Sequence, residues 1–288
     1  MAIRTILVPL AGGEAEAGPL DTVMQIAKHV DAHVEALHVA EDPQRSLAYV
    51  GEGMTSSMIQ EIIDTAEQRE VTRTERACEL FNAACAKHSA PIAETPKDAA
   101  GFSSRLTVVT GIPESIVATR GRLADLIAVC RPMPDDEATF STIIEPALME
   151  SGCPVLVVPP GDPVIKLDRA AIAWNGGPEA GRAIRAATPL LQGMKEVRVI
   201  EVDEKHLSGP PLDDVLGYLS WHGISATTES ASRNGRFVGD ALLDAIEKGL
   251  PDVLIMGAHT RNRLRRMIFG DVTGEVLAMT PLPAFMAH

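Results

Sequence analysis

Short apolar runs alternate along this chain with longer stretches whose apolar residues recur three or four positions apart, the pattern of strands taking turns with helices. Thr5 to Leu10 is the first run, and it stops at the turn Ala11-Gly12-Gly13. Leu20, Val23, Ile26, Ala27 and Val30 then share a helix face, and His33 to Val39 alternates toward Leu37 and Val39 as a second strand. From Met54 to Ser89 there is no Gly or Pro, which predicts one long helix or two; its apolar stripe runs from Ile59 and Ile62 to Phe81 and Ala84, and its charges form a solvated face. Residues 91–102 read as loop and Arg105 to Val109 as a third strand. Gly111-Ile112-Pro113-Glu114 opens a helix with proline near its first position. Asp125 to Cys130 is a fourth strand, Thr142 to Ser151 a helix, and Pro154 to Val158 a fifth strand.

After the breaker Pro159-Pro160-Gly161-Asp162-Pro163 the pattern starts again. Ala170 to Trp174 and Asn175-Gly176-Gly177 repeat the first strand and its turn. Helices are predicted over Pro178–Leu191, Leu212–Trp221 and Phe237–Lys248, and strands over Val197–Val202 and Ser225–Glu229. Pro251-Asp252-Val253-Leu254-Ile255-Met256 repeats Ala124-Asp125-Leu126-Ile127-Ala128-Val129, and Leu282-Pro283-Ala284-Phe285-Met286 repeats Cys153-Pro154-Val155-Leu156-Val157. The prediction is an α/β chain of two tandem Rossmann-like units, residues 1–159 and 164–288, each a five-stranded parallel sheet flanked by helices.

Composition narrows the reading. The 288 residues suit two domains of ordinary size, and with only 3% aromatic residues their cores are aliphatic. A net charge of −13 argues against nucleic acid or an acidic membrane as partner. No apolar run approaches the roughly 20 residues a membrane helix needs. The N-terminus leads straight into Ile3–Val8, a strand and not a secretion signal, so a cytoplasmic protein is expected. Cys78, Cys85, Cys130 and Cys153 form no CxxC pair and read as reduced thiols; Cys78 and Cys85 share a helix face as core, not as metal ligands.

The chemistry gathers near the C-terminus. The strand Val253 to Met256 stops at Gly257, a basic loop follows, and a new helix begins after Gly270, near Asp271. Loop amides after a parallel strand, with the open N–H groups of a following helix, make an anion site in principle. This spacing, with the tandem order of elements over nearly all of the chain, resembles the universal stress protein family. The family's nucleotide loop reads Gly, two residues, Gly, nine residues, Gly, then Ser or Thr; Gly257, Thr260, Gly270 and Asp271 stand on those positions, so two match and two depart. The resemblance implies adenine nucleotide alpha hydrolase-like domains with strand order 3-2-1-4-5. It also implies last strands that pair in an internal pseudo-dimer, with a homodimer as a further expectation. Its candidate ligand is ATP or AMP with Mg²⁺, in the second domain.

Each candidate there has a plainer reading beside it. Asn175 holds the place of a family acid at the end of the first strand and could still hydrogen-bond a ribose or base. Thr260 is unfavourable if its position needs positive φ. Gly270 serves a phosphate or merely closes the loop. Asp271 would repel a phosphate about 4 Å away by roughly 1 kcal/mol in water and about 4 kcal/mol at an effective dielectric of 20. As a helix N-cap its carboxylate would instead stand in for the phosphate, and a third reading holds Mg²⁺ on it. Thr273 is a further hydroxyl donor. Arg261, Arg263, Arg265 and Arg266 clamp a phosphate or lie in solvent, and His259 contacts a base or lies in solvent. In the first domain Ala11, Cys130-Arg131-Pro132 and Glu145-Pro146-Ala147, near the helix opening, leave no phosphate glycines, so that half reads as structural.

No Walker A, HExxH, GxSxG or strand-borne GxGxxG motif is present. The expectation is therefore a stress-response binding module and not an enzyme, with at most slow ATP hydrolysis. The alternative is a non-nucleotide-binding member that acts through protein–protein contacts.

Overall fold

A computed structural model of the protein describes residues 2–42, 55–99, 101–131, 137–161, 165–202, 209–258 and 271–288, with backbone only for 137–141, 271 and 275. The first half contains β1 (Thr5–Pro9), α1 (Ala17–Val30), β2 (His33–Ala40), α2 (Ser56–His88), β3 (Ser103–Thr110), α3 (Pro113–Gly121), β4 (Leu126–Cys130), α4 (Glu137–Glu150) and β5 (Val155–Val158). The second half contains β6 (Arg169–Trp174), α5 (Pro178–Leu191), β7 (Glu196–Val202), α6 (Leu212–Trp221), β8 (Ala226–Ala231), α7 (Val238–Gly249), β9 (Val253–Gly257), α8 (Asp271–Met279) and β10 (Ala284–Ala287).

All ten strands lie in one sheet, ordered β3-β2-β1-β4-β5-β10-β9-β6-β7-β8. Each half therefore has the order 3-2-1-4-5, and the halves meet through their last strands. Pairing within each half is parallel, while β5 and β10 run antiparallel, with Phe285 opposite Leu156 and Met286 opposite Val155. One buried apolar layer, on the side of α1, α2, α5 and α6, runs through both halves; the other lies under α3, α4, α7 and α8. The strands read as continuous apolar runs because helices cover both faces.

Some expectations shift. The stretch 54–89 is one helix of 33 residues, started by the Thr55 hydroxyl, which accepts from the Met58 N–H. β3 begins earlier than expected because β2 pairs it from His33↔Ser103 onward. Helix α4 begins at Glu137, so Glu145-Pro146 lies well inside it and not near its opening. All four cysteines are free thiols, and burial pushes those of Cys130 and Cys153 up to about 12, which keeps them protonated and unreactive. Among the described residues no helix is long and apolar enough to cross a membrane.

One repeated device pins each sheet. Asp125, just before β4, accepts from the Arg4 and Thr5 N–H groups at 2.9 and 3.0 Å. Asp252, just before β9, does the same for Asp168 and Arg169 at 2.8 and 2.9 Å. Each carboxylate ties the start of the central strand to its neighbour through backbone donors that have no other strand to bond. Asp252→Ala should lower unfolding free energy by about 1–3 kcal/mol, the usual effect of leaving such donors unpaired. Phe285→Ala, at a position with no solvent exposure in the seam, should cost about 3–5 kcal/mol. Urea denaturation midpoints measure both.

Candidate functional site

In a doubly wound parallel sheet, ligands meet the carboxyl ends of strands where the order reverses. Here that means β6 and β9 in the second half and β1 and β4 in the first. Both β6 and β1 end in a Gly-Gly turn whose first glycine has positive φ, +73° at Gly176 and +82° at Gly12. In both halves the segment after the next strand folds back over that turn. A Cβ on Gly209 would stand 2.2 Å from the Gly176 carbonyl oxygen, and a Cβ on Gly12 would stand 2.2 Å from that of Arg73.

In the second half, the Asn175 side-chain oxygen accepts from the Gly177 N–H at 2.9 Å, and Gly177 is the N-cap of α5, with Pro178 at the helix start. Trp174, buried, donates its indole N–H to the Pro210 carbonyl at 3.2 Å. Glu201 brings a buried side chain to the end of β7, the place His38 holds in β2. Gly257 does not have positive φ; it is required because α5 comes close, and a Cβ there would lie 2.5 Å from the Ala180 nitrogen. Gly257 is thus a packing glycine and not one that a left-handed turn requires. It lets the N-terminus of α5 approach the end of β9.

The first half fills its own turn. The Glu16 carboxylate accepts from the Ala11, Gly12 and Gly13 N–H groups at 2.9, 2.9 and 3.0 Å. Burial pushes the Glu16 carboxyl up, against the pull of those three amides and of Arg73. The Arg73 Nε donates to the Ala11 carbonyl at 3.0 Å, and buried His38 spans the Leu10 carbonyl and Glu70. This nest of amides is an anion site that holds an internal anion. The sequence signal for it was present: Glu stands three residues after Gly13, the spacing at which a side chain reaches back to cap a helix start. Arg131, just past the end of β4, is also committed. Its Nη1 donates to the Leu277 and Thr280 carbonyls, both at 2.6 Å, and so caps the end of α8 across the seam.

Of the residues singled out in the sequence, the structure brings Asn175 and Gly257 to the same crevice. Asp271 is the first residue of α8. Thr273 is buried on α8, 3% exposed. Thr260, Arg261, Arg263 and Gly270, with His259, Arg265 and Arg266, lie outside the described residues.

The architecture defines a tandem α/β protein with a crevice at the strand ends of each half and a seam that joins the halves. A sequence model described as the universal stress protein family matches residues 223–288, within the second half. A universal stress protein from Archaeoglobus fulgidus DSM 4304 shares the fold with TM-score 0.71 at 18% identity, over 99% of this chain and 96% of that one. A second protein bearing the family name, from Pseudomonas aeruginosa UCBPP-PA14, gives 0.52 at 16% identity over 99% and 92%. At these identities the likeness speaks for the fold alone. No curated protein matches the chain.

Glu16→Ala should lower stability by about 1–3 kcal/mol by leaving three amides without their acceptor. Inorganic phosphate should then raise the melting temperature of the variant more than that of the wild type. Gly257→Ala must push apart the β9 end and the α5 backbone and should cost about 1–3 kcal/mol, read by thermal and urea denaturation.

Proposed function

We propose that this chain is a stress-response binding module that takes one adenine nucleotide, ATP or AMP with Mg²⁺, at the carboxyl ends of β6 and β9, and that its first half is structural. The observation that carries this reading is the opposite treatment of one turn. In the first half Glu16 already places a carboxylate on the amides after β1. In the second half the neutral Asn175 side chain takes the Gly177 N–H, while the Glu179 carboxylate beside Gly177 is neutralised by Arg182 at 2.8 Å. Two like charges about 4 Å apart repel by roughly 1–4 kcal/mol, depending on the dielectric. A phosphate is therefore disfavoured in the first half and acceptable in the second. The absence of any nucleophile or metal-hydrolase motif in the sequence supports binding without turnover, beyond slow hydrolysis at most.

The second reading, action through protein contacts with the site shut, draws on one residue: an aspartate, Asp271, stands at the start of α8 where the family's loop has Ser or Thr. Native mass spectrometry of the purified protein, followed by calorimetric titration with ATP and Mg²⁺, separates the two. One nucleotide per chain, lost on Gly257→Val and kept on Glu16→Gln, is the expected outcome. Thr260→Gly with Asp271→Ser should tighten ATP binding by about tenfold or more. A protein free of nucleotide, with no heat of binding even in that double variant, would overturn the nucleotide reading.

A further inference from the structure

The first half has a second concavity at the opposite, amino ends of its strands. It is a partly open cavity of about 620 Å³, formed between the starts of β1, β2 and β3, the loop before β3 and the end of α3. That volume is in the range of small-molecule sites. In the second half the corresponding ground is filled: the Arg198 guanidinium lies against Gly249, donates to the Ala245 carbonyl and pairs with Glu229.

The floor of the cavity is chemically unusual for a sheet face. Glu35 stands on the β2 face that carries Leu37 and Val39, where the alternation calls for an apolar residue. Its carboxylate is held by Arg105 at 2.8 Å, by Arg120 at 2.6 Å and by the Thr107 hydroxyl at 3.2 Å. Two guanidinium groups on one carboxylate leave this inner cluster with an excess positive charge. Arg105 reaches Glu35 through Nη2 and Arg120 through Nη1; their other terminal nitrogens make no hydrogen bond among the described residues. Beside them the Ser103 hydroxyl donates to the Gly101 carbonyl and so accepts from His33 Nδ1–H, which leaves His33 Nε2 as an acceptor. Burial pushes the His33 pKa down, consistent with a neutral ring. The lining also carries Arg4 and Asp31, which pair with each other, and Glu94; its apolar part is Ala93, Pro96 and Leu123, the last 92% exposed at the mouth.

We propose that this cavity is a binding site for a small organic acid, whose carboxylate sits on the free edges of Arg105 and Arg120 and whose apolar body lies against Leu123 and the loop 93–96. Half-buried charge clusters of this kind stabilise a fold weakly at best, because solvent screening and desolvation offset the attraction. A bound anion gives the spare guanidinium donors a partner. The site is separate from the nucleotide crevice, at the other end of the same strands, and stands or falls independently of it.

The test is calorimetric titration of the full chain with 4-phenylbutyrate, with its uncharged amide as control. Saturable binding of one carboxylate per chain is expected, with the amide at least about tenfold weaker. Arg120→Gln should weaken binding about tenfold or more, and excess ATP should not compete. Leu123→Asp changes only an exposed rim residue; it should leave the melting temperature unchanged while it weakens the carboxylate by placing a like charge at the mouth. No saturable binding to the folded protein, or binding that is equal for acid and amide and indifferent to both substitutions, would overturn the proposal.

Discussion

The antiparallel pairing of β5 with β10 is the constraint on which the rest of the molecule depends. A five-stranded parallel sheet of this order ends in a short, wholly apolar strand with a free row of N–H and C=O groups, an edge that invites association. Here each half supplies the partner for the other, with Phe285 opposite Leu156 at the centre and no exposed surface at either residue. One polypeptide thus carries both copies of an interface that separate chains would otherwise have to meet to form. Arg131 adds a polar tie across the same seam by capping the end of α8.

Joining two copies in one chain frees each from having to keep the same site. The first half has converted its amide nest into a self-contained bond set, with Glu16 as the resident anion and Arg73 packed over the turn. The second keeps a neutral residue at the same turn and a glycine, Gly257, that lets α5 come close to the end of β9. At the amino ends the asymmetry reverses. There the first half is open and polar, and the second is filled by Arg198. A duplicated fold with divergent ends offers chemistry at two places without altering the shared aliphatic layers between the helices and the sheet.

Much of this was written in the chain. The alternation of apolar runs with helical periodicity gave the order of elements, because burial on both faces makes parallel strands uniformly apolar and amphipathic helices striped. The repeat of Asp125 at Asp252, and of the closing strand at Phe285, revealed two copies of one unit. The sequence also located the crevice, since strand carboxyl ends and Gly-Gly turns are local features. What only the tertiary structure decided were the pairings between distant residues. That Glu16 fills the first turn, that Gly257 serves helix approach and not turning, that Pro146 lies inside α4, and that Arg131 reaches the end of α8 all depend on which backbone comes within about 3 Å of which side chain, the reach of a hydrogen bond. Local propensity is read along the chain; a carboxylate or a missing Cβ acquires its meaning from neighbours that only folding brings to it.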